Sequence, residues 1–160
     1  MVYFTSDFHL GHKVIIKYRP EFSSKIEHDE YLLSLLEKLG KRDVVYMIGD
    51  FLFKSDEFDG YLQRISKFKV KIKLILGNHD NLELYKKCPE NIQLQLPMFS
   101  YKNMWISHCP IHPNELRNRI GNIHGHLHKE KLEDKRYFNV NIDVNNYNLV
   151  TLDEIKNYFQ

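Results

Sequence analysis

Aspartates, an asparagine and histidines recur in this chain in clusters that can hold divalent cations. They are Asp7 and His9 in "SDFH", Asp50 in "GD", Asn78, His79 and Asp80 in "GNHD", His108 in "SHCP", and His124, His126 and His128 in "IHGHLH". Carboxylate and amide oxygens mixed with imidazole nitrogens suit Mn, Fe, Zn, Co or Ni. A closed structural zinc site would normally draw on thiolates, and none belongs to this donor set. Asp7, His9, Asp50, Asn78, His108, His126 and His128 offer more donors than one four-coordinate ion needs. With one carboxylate shared, they divide between two ions about 3.5–4 Å apart, the spacing of two-metal hydrolytic and phosphoryl-transfer sites. On an extended strand His124, His126 and His128 project from one side, whereas a helix would scatter them around Gly125. Such a row is a metal site, a proton-handling site or a polar strand facing water, and a single surface histidine is more often structural than a ligand.

Those residues need a frame. "VYFT" reads as a first strand running into Asp7 and His9, "DVVYMIGD" (43–50) as a strand buried on both faces, and "KLILGNHD" (73–80) as another. Further strands are expected in "IQLQLP", "MWISH", "GNIHG" and "YFNVNIDV". Between the early strands the period is helical. Ser24 with Glu27 reads as a capping box, Leu32, Leu35, Leu36 and Leu39 form a stripe, and Gly40 is the stop. Phe58, Tyr61, Leu62 and Ile65 repeat that spacing, and a last helix opens at a second capping box, Thr151 with Glu154. The β-α-β-α-β rhythm followed by a run of strands predicts α/β layers with a more sheet-rich second half. Five strand ends carry the polar clusters, and the carboxyl ends of strands are where α/β sheets bind ligands.

Composition bounds the rest. At 160 residues, 42% hydrophobic and 28% charged, with no repeat, linker or low-complexity tract, the chain reads as one globular domain spanning 1–160. A net charge of +2 provides no global field to recruit nucleic acid or acidic lipid. One local exception is "KFKVKIK", where Lys67, Lys69, Lys71 and Lys73 alternate with apolar residues. It reads as a lysine-guarded edge strand, with a phosphate-tracking stripe as the alternative. Cys88 and Cys109 form neither a CxxC pair nor a disulfide framework and read as buried or half-buried thiols. Cys109 adjoins His108, but strand neighbours point to opposite faces. No stretch has the length and apolarity of a membrane span and the N-terminus lacks a leader pattern, so a cytoplasmic location without membrane partners is expected.

The ordered set Asp7-Phe8-His9, Gly49-Asp50, Gly77-Asn78-His79-Asp80, His108 and Gly125-His126-Leu127-His128 resembles the calcineurin-like metallophosphoesterases. The opening "YFTSDFHLGH" and the "SHCP" block are similar to the small stand-alone bacterial and phage-type members. The resemblance implies a layered sandwich of two mixed β-sheets flanked by helices, and two divalent ions, Mn foremost, with Fe, Zn, Ni or Co as alternatives. It implies that Asp7, His9, Asp50 and His128 hold the first ion and Asp50, Asn78, His108 and His126 the second. Asp50 would bridge the two and a bridging hydroxide would attack phosphorus in line. His79 would protonate the leaving oxygen or stabilise its charge, alongside Asp50 as a catalytic group, and His124 falls outside the ligand set.

His12, Arg19 and His112 lie near these motifs and are candidate contacts to substrate phosphate, Arg19 as a bidentate clamp. Asp80 is either a buttress behind the ligands or a helix N-cap, with the cap favoured. Ser/Thr protein phosphatases carry G-D-x-x-D-R-G, and here "GDFLFKS" puts Phe53 where their second aspartate stands, which argues against that activity. The family's larger DNA-repair nucleases carry additional DNA-binding elements for which this length has no room. The substrate expected is a small phosphate ester, nucleotide-like, with a cyclic or linear phosphodiester ahead of a monoester. The alternatives are a nuclease on short or single-stranded nucleic acid using the lysine face and, last, a non-catalytic scaffold.

Overall fold

A computed structural model describes residues 1–160. Nine strands are formed: β1 (Val2–Thr5), β2 (Val44–Ile48), β3 (Lys71–Ile75), β4 (Ile92–Leu94), β5 (Met98–Tyr101), β6 (Met104–Ser107), β7 (Gly121–His124), β8 (Tyr137–Asn139) and β9 (Val150–Thr151). They make two mixed sheets, as expected: β4-β3-β2-β1-β9, parallel but for β9, and β5-β6-β7-β8, parallel but for β5. The α-helices are α1 (Lys25–Glu37), α2 (Phe58–Ile65), α3 (Leu82–Tyr85) and α4 (Leu152–Tyr158), none long and apolar enough to cross a membrane.

Strand alternation splits the core in two. Val45, Met47, Ile72 and Leu74 pack with Leu32, Leu33 and Leu36 of α1 and Phe58, Leu62 and Ile65 of α2. Tyr46, Ile48 and Ile75 join Met104, Ile106 and Ile123 of the second sheet and Ile155 of α4 in a separate cluster. Strand β2 is thus apolar on both faces because it is covered on both, which is why it reads as an unbroken apolar run, whereas β3 carries Lys71 and Lys73 on one face.

Several expectations are corrected. The α1 stripe is Leu32, Leu33 and Leu36, with Leu35 and Leu39 only partly buried, because the buried face continues back through His28 and Asp29. Ser24 caps α1 by accepting from the Glu27 amide, but Glu27 turns back to Ser23, so the box is half closed, whereas that of Thr151 and Glu154 is complete. The lysine run is no edge: Lys67 and Lys69 precede β3, and β3 lies between β2 and β4. Lys73 donates to the Tyr46 hydroxyl at 3.2 Å and sits over its ring. Finally, β7 ends at His124, so His126 and His128 continue no strand; both take left-handed backbone, φ 70° and 47°.

Candidate metal centre

The two sheets bring their polar strand ends together. After β1 the chain follows the loop behind β2, with the Asp7 amide donating to Gly49 O at 2.9 Å and the His9 amide to Asp50 O at 2.9 Å. After β7, the His126 amide donates to Asp7 Oδ2 at 3.1 Å, which ties the second sheet to the first. The approach is close enough that a Cβ on Gly125 would lie 2.6 Å from Asp7 Oδ2, and one on Gly49, itself at φ +86°, would overlap the His108 ring. Asp7, His9, Asp50, His126 and His128 all have positive φ, a conformation that costs non-glycine residues free energy and concentrates at functional sites.

The candidate donor atoms converge. Asp7 Oδ1 lies 3.9 Å from His9 Nε2 and 4.0 Å from His128 Nε2. Asp50 Oδ2 lies 3.8 Å from His9 Nε2 and 3.4 Å from His108 Nε2, between the two histidines. Asn78 Oδ1 is 3.0 Å from both His108 Nε2 and His126 Nδ1. Asp7, His9 and His128 form one group able to hold an ion, and Asp7, Asp50 and His108 another.

Two features test whether a cation fits. Asp7 Oδ1 and His9 Nε2 are buried with no hydrogen-bond partner, which costs about 1–3 kcal/mol per group when nothing else satisfies them. His108 donates from Nδ1 to Ile48 O at 2.8 Å, so a neutral ring turns its Nε2 lone pair toward two further acceptors, Asn78 Oδ1 and Asp50 Oδ2. Three acceptors facing one another need a proton or a metal ion between them. Without an ion the proton serves: burial opposes it, but the Asp50 hydrogen bond and the charges of Asp7 and Asp50 hold His108 up at about 9. Burial raises Asp7 and drives His9 down to about 3, and Asp50, despite burial, is held at about 2 chiefly by His108. Oxygen and imidazole acceptors turned toward one another in this way fit a divalent cation.

Around this centre lies a cavity of about 620 Å³ lined by His9, His12, Tyr18, Phe53, His79, His126, His128 and Lys129 among others. The His79 amide donates to Asp50 Oδ1 at 2.9 Å, and its exposed ring stands 5.4 Å from that of His9 and 6.0 Å from that of Phe53. His12 packs edge-on against Phe53 at 4.4 Å.

The other candidates take different parts, although Arg19 also borders the cavity. Arg19 is 1% exposed, and its donors are directed to Asp7 O, Phe8 O, His28 Nε2 and both Asp143 oxygens. No N–H is left for a phosphate, so Arg19 is not the expected clamp. His112 is exposed outside the cavity lining and accepts from the Asn114 amide, which caps a short 3₁₀ turn. Asp80 is no N-cap; Asn81 caps α3, and Asp80 accepts the amides of Asp50, Phe51 and Gly77 and the Tyr85 hydroxyl. Cys109 is exposed rather than buried. It follows β6, so strand alternation does not govern it, and its sulfur lies within 4.8 Å of a His108 and a His126 nitrogen. His124 is buried, donates from Nδ1 to Gly125 O, and is driven by burial down to about 4. Sequence reading missed Asp143, which accepts from His128 Nδ1 at 3.0 Å; its "NIDV" context carries no motif.

The chain matches the family model described as calcineurin-like phosphoesterase over residues 1–158. It is 30% identical to the uncharacterized protein MJ1445 of Methanocaldococcus jannaschii, over 96% of this chain and 88% of that one. It is 28% identical to the gene 66 protein of Mycobacterium phage D29, over 97% and 94%. The crystal structure of a protein of unknown function, AQ665 from Aquifex aeolicus, superposes over 98% of each chain with a TM-score of 0.73 at 28% identity.

Proposed function

The chain belongs to the calcineurin-like phosphoesterase family, and from that premise we propose that it is a two-metal phosphodiesterase acting on a cyclic or linear nucleotide-like ester. In this reading Asp7, His9, Asp50 and His128 hold one ion and Asp50, Asn78, His108 and His126 the other, with Mn the first choice. The observation that carries it is the position of Asp50 Oδ2, within 3.8 Å of His9 Nε2 and 3.4 Å of His108 Nε2, as a shared carboxylate requires. Bound divalent ions would acidify water near neutral pH and neutralise phosphate oxygens.

The side chains divide the remaining work. Asn78 contributes an oxygen without a further negative charge that would repel an anionic substrate. His79, anchored through its amide to Asp50, presents an exposed imidazole at the cavity mouth and gives its proton to the leaving oxygen. Phe53, which stands at the sequence position of the protein phosphatases' second aspartate, sets its ring 6.0 Å from that of His79, so His79 has an apolar neighbour there. His12, Phe53 and Tyr18 line the same cavity, whose 620 Å³ exceeds what a phosphate group fills and accommodates a diester with a ring-bearing substituent. Lys129 is the one lysine of that lining, and none of Lys67, Lys69, Lys71 and Lys73 reaches it. The cavity itself thus draws nothing from the lysine run on which the nuclease alternative relies.

The test compares hydrolysis of bis-p-nitrophenyl phosphate and p-nitrophenyl phosphate by Mn-reconstituted protein, with Asp50→Asn as the blank. Faster diester turnover is expected. A monoester preference would overturn the diester assignment, and no turnover above the blank would overturn the phosphoesterase reading.

A further inference from the structure

His128 is the least supported of the candidate ligands. Its side chain is 46% exposed, it lies beyond the end of β7, and its backbone is left-handed. An imidazole so placed would ordinarily rotate and exchange tautomers, yet one neighbour constrains it. Asp143, 3% exposed, accepts from Nδ1 at 3.0 Å.

Asp143 is itself fixed. Arg19 Nε donates to its Oδ1 at 2.7 Å and Nη2 to its Oδ2 at 3.2 Å. The same guanidinium donates to Asp7 O at 2.6 Å and Phe8 O at 3.0 Å, so it grips the backbone that carries Asp7. Behind it, Arg19 Nη1 donates to His28 Nε2 at 2.7 Å, which leaves the His28 proton on Nδ1 to meet Asp29 Oδ1 at 2.7 Å. An arginine has only donors, so this network has a single proton arrangement. Both Asp143 oxygens must accept, and His128 must donate from Nδ1.

We propose that Asp143, locked by Arg19, is a positioning residue for His128: it keeps the proton on Nδ1, turns the Nε2 lone pair toward Asp7, and thereby sets the affinity of the ion held by Asp7, His9 and His128. The inference rests on the metal centre proposed above. It gives Arg19 a role distinct from phosphate binding, since one buried cation orders both the Asp7 backbone and the group behind His128. A partner on the far nitrogen of a ligating histidine fixes tautomer and orientation, and its loss typically costs 10–100-fold in metal affinity.

Asp143→Asn discriminates. With one oxygen replaced by an amide, the shorter Arg19 Nε contact at 2.7 Å selects the remaining oxygen, so the new NH2 faces His128 Nδ1. Nδ1 must then accept, and the proton moves to Nε2, where it blocks the ion. The first measurement needs no variant: long-range ¹H–¹⁵N spectra of the metal-free wild type in alkaline buffer, where the imidazole is neutral. Nδ1–H at His128 is expected, and Nε2–H would overturn the proposal. The second is Mn(II) binding by calorimetry and electron paramagnetic resonance in wild type and Asp143→Asn. The expected result is one site weakened about 10–100-fold and the other retained. Equal affinities at both sites would overturn the positioning role alone. A wild type that binds no Mn(II) would overturn the metal centre and this inference together.

Discussion

At the scale of single residues, the candidate site is a set of groups whose states depend on what faces them. His79 is assigned a proton, so its loss should matter in proportion to the basicity of the leaving group. His79→Asn is expected to lower kcat by about 10²–10⁴-fold for an alkyl phosphodiester and far less for a p-nitrophenyl ester, whose anion needs no proton. Equal losses on the two substrates would remove it from the general-acid role. His124 gives a stability prediction. Its folded value, about 4, lies below the ordinary 6.5, so the unfolded chain takes up a proton that the folded chain refuses. Its contribution is present above 6.5 and is lost as pH falls toward about 4, up to about 3 kcal/mol across that window. Urea midpoints of the metal-free protein should therefore fall more steeply with acid in wild type than in His124→Gln. The residue types at Asp7, His9, Asp50, Asn78, His108, His126 and His128 were legible in the sequence because few chemistries use them together. The roles of Arg19 and Asp143 were not, because a buried arginine and a phosphate clamp look alike until the partners are known.

At the scale of elements, helices and strands were read from period and caps, and the errors lie where tertiary packing shifts a boundary. Both α2 and α4 occupy the segments their spacing indicated. Gly60 is the exposed interior glycine of α2, and a methyl group there meets nothing within 4 Å. Gly60→Ala should stabilise the protein by about 1 kcal/mol, a rise of roughly 2–4 °C in Tm by calorimetry. A fall would mean that the glycine serves something other than helix termination or space. The lysine run shows the limit of periodicity: alternation predicted a strand with one charged face, but only the pairing of β3 with both β2 and β4 shows that it is no edge. "IHGHLH" shows the same limit, since identical alternation would follow from a strand through His128, whereas β7 stops at His124 and a turn carries the other two histidines.

At the scale of the molecule, two sheets meet at their polar ends, and the strain of five left-handed candidate residues is gathered where acceptors face one another. Removing metal with a chelator should therefore destabilise the fold. Restoring Mn(II) at about one hundred times its Kd should add about 2.7 kcal/mol per site, or roughly 5–10 °C in Tm. A melting temperature indifferent to both treatments would count against ion binding at this centre. The sequence by itself determined the layered α/β class and the family, because apolar runs and repeated D, N and H clusters are local signals that survive without coordinates. Only the tertiary structure decided that Arg19 turns inward, that His112 stays outside the cavity, and that Asp143 stands behind His128. Those are contacts between residues 124 positions apart for Arg19 with Asp143 and 15 for Asp143 with His128, fixed by how the loops after β1, β7 and β8 pack together. No local pattern encodes a partner at that distance.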